Sequence, residues 1–248
     1  IGWLAVHVAC NDIASSGIRP RWVQLLVLVP GEEETELLEQ IMRDASRAAG
    51  DLGVAIVGGH TGYSSGISRP VVAVTSLGVA AGRVPLHTRG ASEGDWILAT
   101  KGVAQEGTSI LAQDFQDVAL ELGLSEVDLS EARELATEVS VVEEALLLAD
   151  HGASSMHDVT RGGLLETLLE MGSLSGLSLH VEESLVPRRP VVSRFAEAFR
   201  FDPLRMISSG SLAATVHDTG GVHPLHALPR LDWETSEGGG LTYLAGHR

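Results

Sequence analysis

Hydrophobic and polar residues in the first third of the chain follow periods that predict a helix between strands. The run from Trp22 to Val29 is densely apolar, has the length of a strand and ends at Pro30-Gly31. Apolar residues recur at helical spacing from Glu32 to Ala49, which predicts an amphipathic helix. Further strands are expected at 54–57, where we expect burial, and at 71–79. The strand–helix–strand order is typical of an α/β domain.

The segments on either side of this pattern indicate how the chain is divided. Residues 1–14 mix apolar side chains with alanines and have no capping residue before them, so we expect the end of a helix whose upstream part lies outside this sequence. The stretch from Arg83 to Gly94 is polar and turn-rich. It predicts two domains, residues 1–85 and residues 91–248.

The second half predicts an α+β arrangement. Strands are expected at 95–99, 177–181 and 211–216. The predicted helices, with approximate ends, are 106–112, 120–129 with some loop, 132–151 as one long amphipathic helix, 164–171 and 191–199. After His217 the pattern is weak and is interrupted by glycine and proline.

One stretch of the second half combines helix periodicity with candidate chemistry. Asp158 and Thr160 are N-cap residue types, and Gly162-Gly163 allows the first turn to approach another group closely. A helix start of this kind presents N–H groups that suit a phosphate, and an aspartate beside it suits magnesium. The alternative is an ordinary capped helix whose glycines pack tightly against a neighbouring strand. The same spacing recurs at Asp12 and Gly17, which indicates a pseudo-duplicated architecture.

Composition narrows the classes of function. The formal net charge is −16, which argues against a nucleic-acid-binding surface but not against an anionic nucleotide held by backbone N–H groups and magnesium. No apolar run is long enough to cross a bilayer, so no membrane partner is expected. The single cysteine, Cys10, excludes an intramolecular disulfide and predicts a cytoplasmic location. Cys10 itself is expected to be a small buried residue rather than a nucleophile.

Five motifs occur in an order that resembles the aminoimidazole ribonucleotide (AIR) synthetase superfamily, in the style of the hydrogenase-maturation factor HypE and of AIR-synthase-related proteins. The match runs from about Ile1 to Val216. The motifs are Asn11-Asp12-Ile13-Ala14 with Gly17 and Pro20, Gly58-Gly59-His60-Thr61, Glu106-Gly107-Thr108, His157-Asp158-Val159-Thr160-Arg161-Gly162-Gly163, and Asp202-Pro203 followed by Ser208-Ser209-Gly210.

The resemblance implies a two-domain fold, α/β plus α+β, whose N-terminal sheet forms a barrel with a second subunit in a homodimer. It also implies ATP and magnesium in a cleft, with a substrate oxygen activated by phosphorylation. Asp12 and Asp158 would bind the metal, and His60 or Glu106 would handle protons as catalytic groups. The residues implied to contact the nucleotide are Asn11, Asp12, Gly58, Gly59, Thr61, Gly107, Thr108, Thr160, Arg161, Gly162 and Gly163.

Several of these positions have a structural alternative. Asp12 fits an N-cap or turn residue, and Arg161 fits a solvated side chain. His60 stands where many members of the superfamily carry a carboxylate, so proton transfer, phosphate contact and capping of a strand end all remain open. Ser208-Ser209-Gly210 fits either a ligand contact or a turn into a strand.

The leading hypothesis is therefore an ATP-dependent, magnesium-requiring homodimeric enzyme acting on a small-molecule or carrier-bound substrate. The alternative is a nucleotide-binding maturation or regulatory subunit that acts through a protein partner with little turnover, and a third possibility is a dimeric scaffold. The superfamily's glycine-rich phosphate segment is expected upstream of Ile1. Because the sequence ends Leu244-Ala245-Gly246-His247-Arg248, without the cysteine that HypE uses as acceptor, self-cyanation is not expected.

Overall fold

The structure, a computed structural model, describes residues 1–217 and the strand Thr242–Leu244. The weakly patterned tail after His217 lies outside the described residues, apart from that strand. The chain folds into two compact units. The first comprises Ile1–Ala14 and Ile18–Pro85, and the second comprises Ser15–Gly17 and the chain from Leu86 onward.

The first unit is a three-stranded sheet with two helices. Its strands are β1 (Pro20–Val29), β2 (Ala55–Tyr63) and β3 (Val71–Gly78), in the order β2-β1-β3. β1 pairs with β2 in parallel and with β3 in antiparallel orientation. The helices are α1 (Gly2–Ser15, its last residue counted with the second unit) and α2 (Thr35–Asp51). Residues 1–14 are helical as predicted, and the helix predicted at 32–49 is observed as α2, preceded by a 3-10 turn at Glu32–Glu34.

Alternation along β1 decides where this unit places its core. Val23, Leu25, Val27 and Val29 are buried on one face, as are Ile41 and Ala45 of α2. The other face of β1 remains exposed, as the strand's burial pattern shows. One face of the sheet is thus covered, and the other is open as far as the described residues are concerned.

The prediction of a buried strand at 54–57 is wrong in two respects. β2 continues to Tyr63, so Gly58-Gly59-His60-Thr61 are strand residues rather than the loop that follows a strand. Almost every residue of β2 is also exposed. The physical reason is that β2 is an edge strand, paired only with β1, and its apolar side chains have no covering layer within the chain.

The second unit contains an antiparallel sheet with helices around it. Its strands, in the order β5-β6-β4-β7, are β4 (Trp96–Ala99), β5 (Ala153–Asp158), β6 (Leu212–Val216) and β7 (Thr242–Leu244). Its helices are α3 (Gln105–Asp114), α4 (Gln116–Glu121), α5 (Glu126–Glu134), α6 (Val142–Asp150), α7 (Gly163–Ser175) and α8 (Pro190–Phe199).

Two apolar clusters hold this unit together. One joins Ile97 and Ala213 of the sheet to Leu164, Leu168 and Met171 on a single face of α7. The other lies among helices and includes Ala112 of α3, Leu129 of α5 and Phe195 of α8. The sheet therefore packs against α7, while α3, α5 and α8 form their own small bundle.

The predicted long helix at 132–151 is interrupted. α5 ends at Glu134, a short 3-10 turn follows, and α6 begins at Val142. The interruption contains the β-branched residues Val139 and Val141, which disfavour a helix because they lose side-chain freedom there. Ser140 also competes for the backbone, since its hydroxyl accepts the N–H of Val142 at 3.3 Å.

The strand predicted at 177–181 is absent. Leu177, Leu179 and Val181 do alternate, and Leu179 and Val181 pack against the α7 cluster. None of the described strands pairs with this segment in either sheet. The alternation of apolar residues in this segment therefore reflects partial burial and not pairing in a sheet.

The architecture confirms the expected fold class. The parallel β1–α2–β2 unit is α/β, and the antiparallel sheet with separate helices is α+β. None of the helices in the described part of the chain combines the length and apolarity needed to span a bilayer.

Candidate functional site

A single loop, residues 204–209, holds the first turns of α3 and α7 in the second unit. The Gly107 N–H of α3 donates to the Ile207 carbonyl at 3.1 Å, and the Leu165 N–H of α7 donates to the Leu204 carbonyl at 3.1 Å. Two helix starts that are far apart in sequence are thereby fixed against the same short segment.

The glycines in both helix starts are explained by this close contact. A Cβ built at Gly163 would lie 2.4 Å from the Leu204 carbonyl oxygen, and φ at Gly163 is +67°. A Cβ at Gly107 would lie 2.4 Å from Cγ of Met206. For Gly163 the tight-approach alternative is therefore correct, although the neighbour is a loop rather than a strand. The predicted side-chain N-cap by Asp158 or Thr160 is wrong, because the cap of α7 is Gly162 and no side chain bonds there.

Glu106 is the buried carboxylate at this junction. Glu106 is only 4% exposed, and its Oε2 accepts the Ser209 N–H at 3.1 Å. The neighbouring Ala104 N–H donates to the Ser208 hydroxyl at 2.8 Å. Ser208-Ser209-Gly210 is also a turn into β6, since the Ser211 N–H donates to the Ser208 carbonyl at 3.0 Å. The segment is thus a turn that also anchors Glu106.

Polar atoms around Glu106 are buried without a hydrogen-bond partner. Four buried polar atoms have no hydrogen-bond partner within residues 1–217. They are the two amide atoms of Gln105, the Thr108 hydroxyl and the Ser209 hydroxyl. Gln105 and Thr108 are three positions apart on α3 and so share one face of the helix. A buried polar group left unpaired costs about 1–3 kcal/mol, so four such atoms in one place indicate a bound polar group or water.

Gln105 is the residue that sequence reasoning missed. It directly precedes the Glu106-Gly107-Thr108 motif. Because residues three positions apart are neighbours on an α-helix, Gln105 lies beside Thr108. That spacing is visible in the sequence, but it indicates a site only once the burial of both side chains is known.

Asp158 lies at the end of a strand rather than at a helix cap. It is the last residue of β5 and pairs in register with Leu212 of β6. The next N–H, from Val159, donates to the Ser211 carbonyl at 2.9 Å, so the segment 209–211 contacts both Glu106 and the end of β5. The Ser15 hydroxyl donates to Oδ1 of the buried Asp158 at 3.5 Å. Asp158 is therefore a second buried carboxylate, at the end of β5 that the segment 209–211 contacts.

Strand β5 escaped the sequence analysis because its residues are mostly polar. Ser154 donates to Asp95 and Ser155 donates to the Thr88 carbonyl, so hydrogen bonds rather than apolar packing satisfy these side chains. A half-polar strand shows no apolar alternation, and period-based reasoning missed it.

Thr160 and Arg161 follow β5. Thr160 is half-buried, and Arg161 is exposed without an ion pair among the described residues. The exposure of Arg161 is what the solvated alternative expects. Its proposed phosphate contact stays a prediction.

In the first unit, Asn11 and Asp12 lie in α1. Asn11 is buried and Asp12 is exposed. The N-cap or turn alternative for Asp12 is wrong, because the helix continues to Ser15. Asp12 is therefore in a helix and Asp158 in a strand, so the repeated spacing to Gly17 and Gly163 does not mark equivalent elements.

His60 and Thr61 point to opposite faces of the first sheet. Thr61 is in register with the buried Val27 and lines a groove of about 520 Å³ beside Leu38 and Met42 of α2. His60 is in register with Leu26 on the exposed face. Capping of a strand end by His60 is excluded, because β2 runs three residues further. The two residues do not share one ligand-facing surface, and Gly58 and Gly59 precede them in the same strand.

Metal ligands are sparse. Within residues 1–217 and 242–244, no group of three or more His, Cys, Asp and Glu side chains is arranged to hold a metal ion. A site built wholly from protein carboxylates is thus not present there. Magnesium bound with nucleotide phosphates needs only one or two carboxylates, because phosphate and water oxygens complete its shell.

Lys101 is a buried cation that supports the site without facing it. Its Nζ pairs with Glu144 at 2.7 Å and donates to the carbonyls of Glu138 and Ser140. All three ammonium donors are thereby used. Lys101 therefore holds the interrupted segment 139–141 in place and has no donor left for a phosphate.

Cys10 behaves as the sequence predicts. It is fully buried, and burial raises the pKa of its thiol above the ordinary value. The thiol contacts the Ser76 hydroxyl at 3.7 Å. A buried, protonated thiol is a poor nucleophile.

Two family models match the two parts of this chain. The family model for the N-terminal domain of AIR synthase related protein matches residues 1–80, and that for the C-terminal domain matches residues 92–219. Carbamoyl dehydratase HypE of Cupriavidus necator is 29% identical over 226 residues, covering 86% of this chain and 59% of that protein. The chain thus spans about three fifths of the length of the curated relative.

Solved structures share the fold. E. coli HypE superposes with a TM-score of 0.81 at 23% identity, covering 98% of this chain and 72% of that one. A HypE structure in complex with ATP superposes with a TM-score of 0.72 at 24% identity, covering 98% of this chain and 70% of that one. The two family models together span most of the sequence, and this chain belongs to the AIR-synthase-related family.

Proposed function

We propose that this protein is an ATP-dependent, magnesium-requiring enzyme that activates an oxygen of a small-molecule or carrier-bound substrate by phosphorylation. The observation that carries the proposal is the junction at Glu106. A buried carboxylate there is fixed by Ser209 and is surrounded by the unpaired polar atoms of Gln105, Thr108 and Ser209. Such a cluster fits a site for a polar ligand and not a packed core.

The residues of the second unit fit a bound nucleotide in their chemistry. The unpaired hydroxyls of Thr108 and Ser209 can donate to phosphate or substrate oxygens, and the Gln105 amide can both donate and accept. The matching family models and the HypE relative add support, since that relative is named a carbamoyl dehydratase and one HypE structure holds ATP. Gly107, Gly162, Gly163, Thr160 and Arg161 are proposed to line the same ligand.

Asp158 is proposed to hold magnesium together with phosphate oxygens, and Asp12 with Asn11 to contribute from the first unit. Asp158 is buried at the end of β5, and its Oδ1 accepts the Ser15 hydroxyl at 3.5 Å. A carboxylate oxygen is the ligand that magnesium prefers. ATP, when bound, supplies the phosphoryl group that makes the substrate oxygen a leaving group.

Glu106 is proposed as the proton acceptor. Its Oε2 is fixed by the Ser209 N–H, and its other oxygen accepts none of the described hydrogen bonds. A carboxylate held in one orientation can take a proton from a substrate N–H or O–H at that second oxygen. His60 lies on the exposed face of the first sheet and is proposed only as a secondary candidate for proton handling or phosphate contact. Gly58, Gly59 and Thr61 would position the nucleotide's phosphates from that unit.

The assembly is part of the proposal. We propose that the two compact units act as the domains 1–85 and 91–248, and that the open face of the first sheet pairs with a second copy in a homodimer. Trp22, Leu26, Val71 and Leu77 share that face and are exposed. An apolar sheet face of this size is unusual on a monomer. A cytoplasmic location completes the proposal, consistent with a single, unpaired cysteine.

The test is ATP turnover in the full-length protein with magnesium, measured as ADP released. We expect release that falls at least a hundredfold in Asp158→Asn, because the variant keeps the shape but loses the metal-binding charge. Asp51→Asn, at the exposed end of α2, is the matched control and should leave the rate unchanged. Equal rates in the parent and Asp158→Asn would overturn the assignment.

The alternative function is a nucleotide-binding maturation or regulatory subunit that acts through a protein partner. One observation favours it: His60, which is exposed on the first sheet, stands where many members of the superfamily carry a carboxylate, and a neutral imidazole is a poor ligand for Mg²⁺. Tight ATP binding without ADP release, in the presence of the candidate substrates, would identify this role.

A further inference from the structure

An exposed apolar stripe runs along α4 on the second unit, outside the site at Glu106. Phe115, Val118 and Leu122 are between 42% and 50% exposed. Val118 lies within α4, and Phe115 and Leu122 are the residues that flank the helix at its two ends. The helix itself buries Ala119 completely. The stripe is therefore a solvent-facing surface and not part of the unit's core.

A groove continues the stripe towards α8. Leu122, Gly123 and Leu124 form one wall, and Ala198, Phe199 and Arg200 form the other. The groove has a volume of about 740 Å³. Contiguous exposed apolar surface of this kind marks an interaction site more often than isolated apolar residues do.

Most of the charges around the stripe are negative, although the exposed Arg200 lines the groove together with Glu197. Asp114, Asp117, Glu121 and Glu126 are exposed, and none of them has an ion pair within the part of the chain that the structure describes. No lysine or arginine occurs between Gln113 and Glu131. Arg194 on the far wall is already neutralised, since it pairs with Asp128 and Glu131 at 2.5 Å each. The stripe is thus flanked by unpaired negative charge.

We propose that α4 and this groove dock a cationic amphipathic helix of a partner protein. The apolar spacing fits a helix whose own apolar residues recur at every third or fourth position. The unpaired carboxylates fit lysine and arginine side chains beside that apolar face, and they would repel an anionic membrane or a second copy of the same acidic surface. The docking site shares no residue with the junction at Glu106, and it stands whether or not the proposed chemistry does.

The probe is a fluorescein-labelled synthetic helix of about eighteen residues, long enough to form a helix on binding, with leucines on one face and lysines elsewhere. Binding to the full-length protein is measured by fluorescence anisotropy. The control peptide has the same composition, with its leucines scattered around the helix. We expect the scattered peptide to bind about tenfold more weakly, because it cannot fill the groove while its charges are engaged.

Variants of the protein locate the surface. Phe115→Ser with Leu122→Ser should weaken binding about tenfold or more, as should the charge reversal Asp117→Lys with Glu121→Lys, which leaves the apolar stripe intact. Leu174→Ser is the matched control, since Leu174 is 54% exposed on α7 of the same unit, and it should bind like the parent. Circular dichroism of each variant confirms that the fold is retained.

Three results would overturn the proposal. The first is unchanged binding by the Phe115→Ser/Leu122→Ser variant, and the second is equal binding of both peptides, which would show attraction by charge alone. The third is a lower mass by sedimentation for the Phe115→Ser/Leu122→Ser variant than for the parent protein. The stripe would then be an interface between copies of this chain.

Discussion

Ser209 and Glu106, separated by 103 positions in the sequence, are joined by one hydrogen bond: the Ser209 N–H donates to Oε2 of Glu106 at 3.1 Å. Both residues are almost completely buried. The bond fixes one carboxylate oxygen, and the side chains of Gln105 and Thr108 on the same helix are buried with polar atoms that have no hydrogen-bond partner among the described residues. The proposed chemistry depends on this arrangement.

Replacing Glu106 with glutamine tests its role as a proton acceptor. The variant Glu106→Gln keeps an oxygen for the Ser209 N–H but removes the basic carboxylate, so we expect ADP release to fall about 10²–10⁴-fold while ATP binding persists. Glu93→Gln, at an exposed position, is the control and should keep the parent's rate. A Glu106→Gln variant with full turnover would remove Glu106 from the mechanism.

The close contact at Gly163 predicts a difference between two glycines with the same backbone conformation. Gly163 and Gly176 have φ of +67° and +69°, but a Cβ would meet the Leu204 carbonyl only at Gly163 and nothing within 4 Å at Gly176. Gly176→Ala should cost about 1 kcal/mol of unfolding free energy from backbone strain, and Gly163→Ala a further 1–3 kcal/mol from the clash. Urea denaturation measures both. Equal costs would mean that the loop at 204–206 yields freely.

The Lys101–Glu144 pair predicts a large stability effect. Their side chains are 11% and 7% exposed, so Glu144→Gln leaves a buried ammonium without its counter-charge. We expect a loss of about 3–5 kcal/mol of unfolding free energy. Glu39→Gln, which breaks an exposed pair with Arg43, should cost at most about 1 kcal/mol. Chemical denaturation distinguishes the two, and a small loss in Glu144→Gln would show that water reaches Lys101.

Much of the fold could be predicted because strong periods survive in the folded chain. The apolar run of β1, the helical spacing of α2 and α8 and the strand β6 each reflect one face packed on a core. Elements whose stability comes from other contacts could not be predicted. β5 is held by hydrogen bonds of Ser154 and Ser155, and the break before α6 is held by Lys101 from a distant strand end.

The candidate site was predicted in its motifs more than in its geometry. The motif at 157–163 was assigned to a helix start, but its aspartate belongs to a strand and its glycine serves a loop contact 41 positions later, at Leu204. Such a contact depends on tertiary packing that no local pattern contains. Gln105 was missed for the same reason, since a glutamine is unremarkable until its burial is known.

The capping box of α5 predicts a pH dependence. Hydrogen bonds from the Ser125 hydroxyl and backbone N–H hold the pKa of Asp128 below its ordinary value, and Arg194 lowers it further. Because the folded pKa is the lower one, Asp128 stabilises the fold fully above the unfolded pKa of about 3.9, and this contribution is lost as the pH falls through the folded value.

The stability lost in Asp128→Ala should therefore shrink as the pH is lowered from about 6 to about 3. Asp117→Ala, at an exposed position on α4, should show a small loss that does not follow this trend. Urea denaturation across the pH series measures both. A loss in Asp128→Ala that is constant with pH would show that the ionised carboxylate is not what stabilises α5.

The open sheet face predicts a dimer that one charge disrupts. Leu26 lies at the centre of the exposed face, in register with His60 and Ala73 on the neighbouring strands. Leu26→Lys should halve the mass measured by light scattering, because a desolvated ammonium is costly in an apolar interface. Leu169→Lys, on an exposed position of α7, should leave the mass unchanged. A parent protein that is already monomeric would contradict the dimer.

The most direct test of the central claim is a thermal-shift titration with ATP, with and without magnesium, on the full-length protein. At about 100 times its dissociation constant, a ligand that binds only the folded state adds about 2.7 kcal/mol of stability, a rise of about 5–10 °C for a chain of this size. The account predicts a rise that requires magnesium and is lost in Asp158→Asn. No rise at millimolar ATP, or an equal rise in Asp158→Asn, would contradict it.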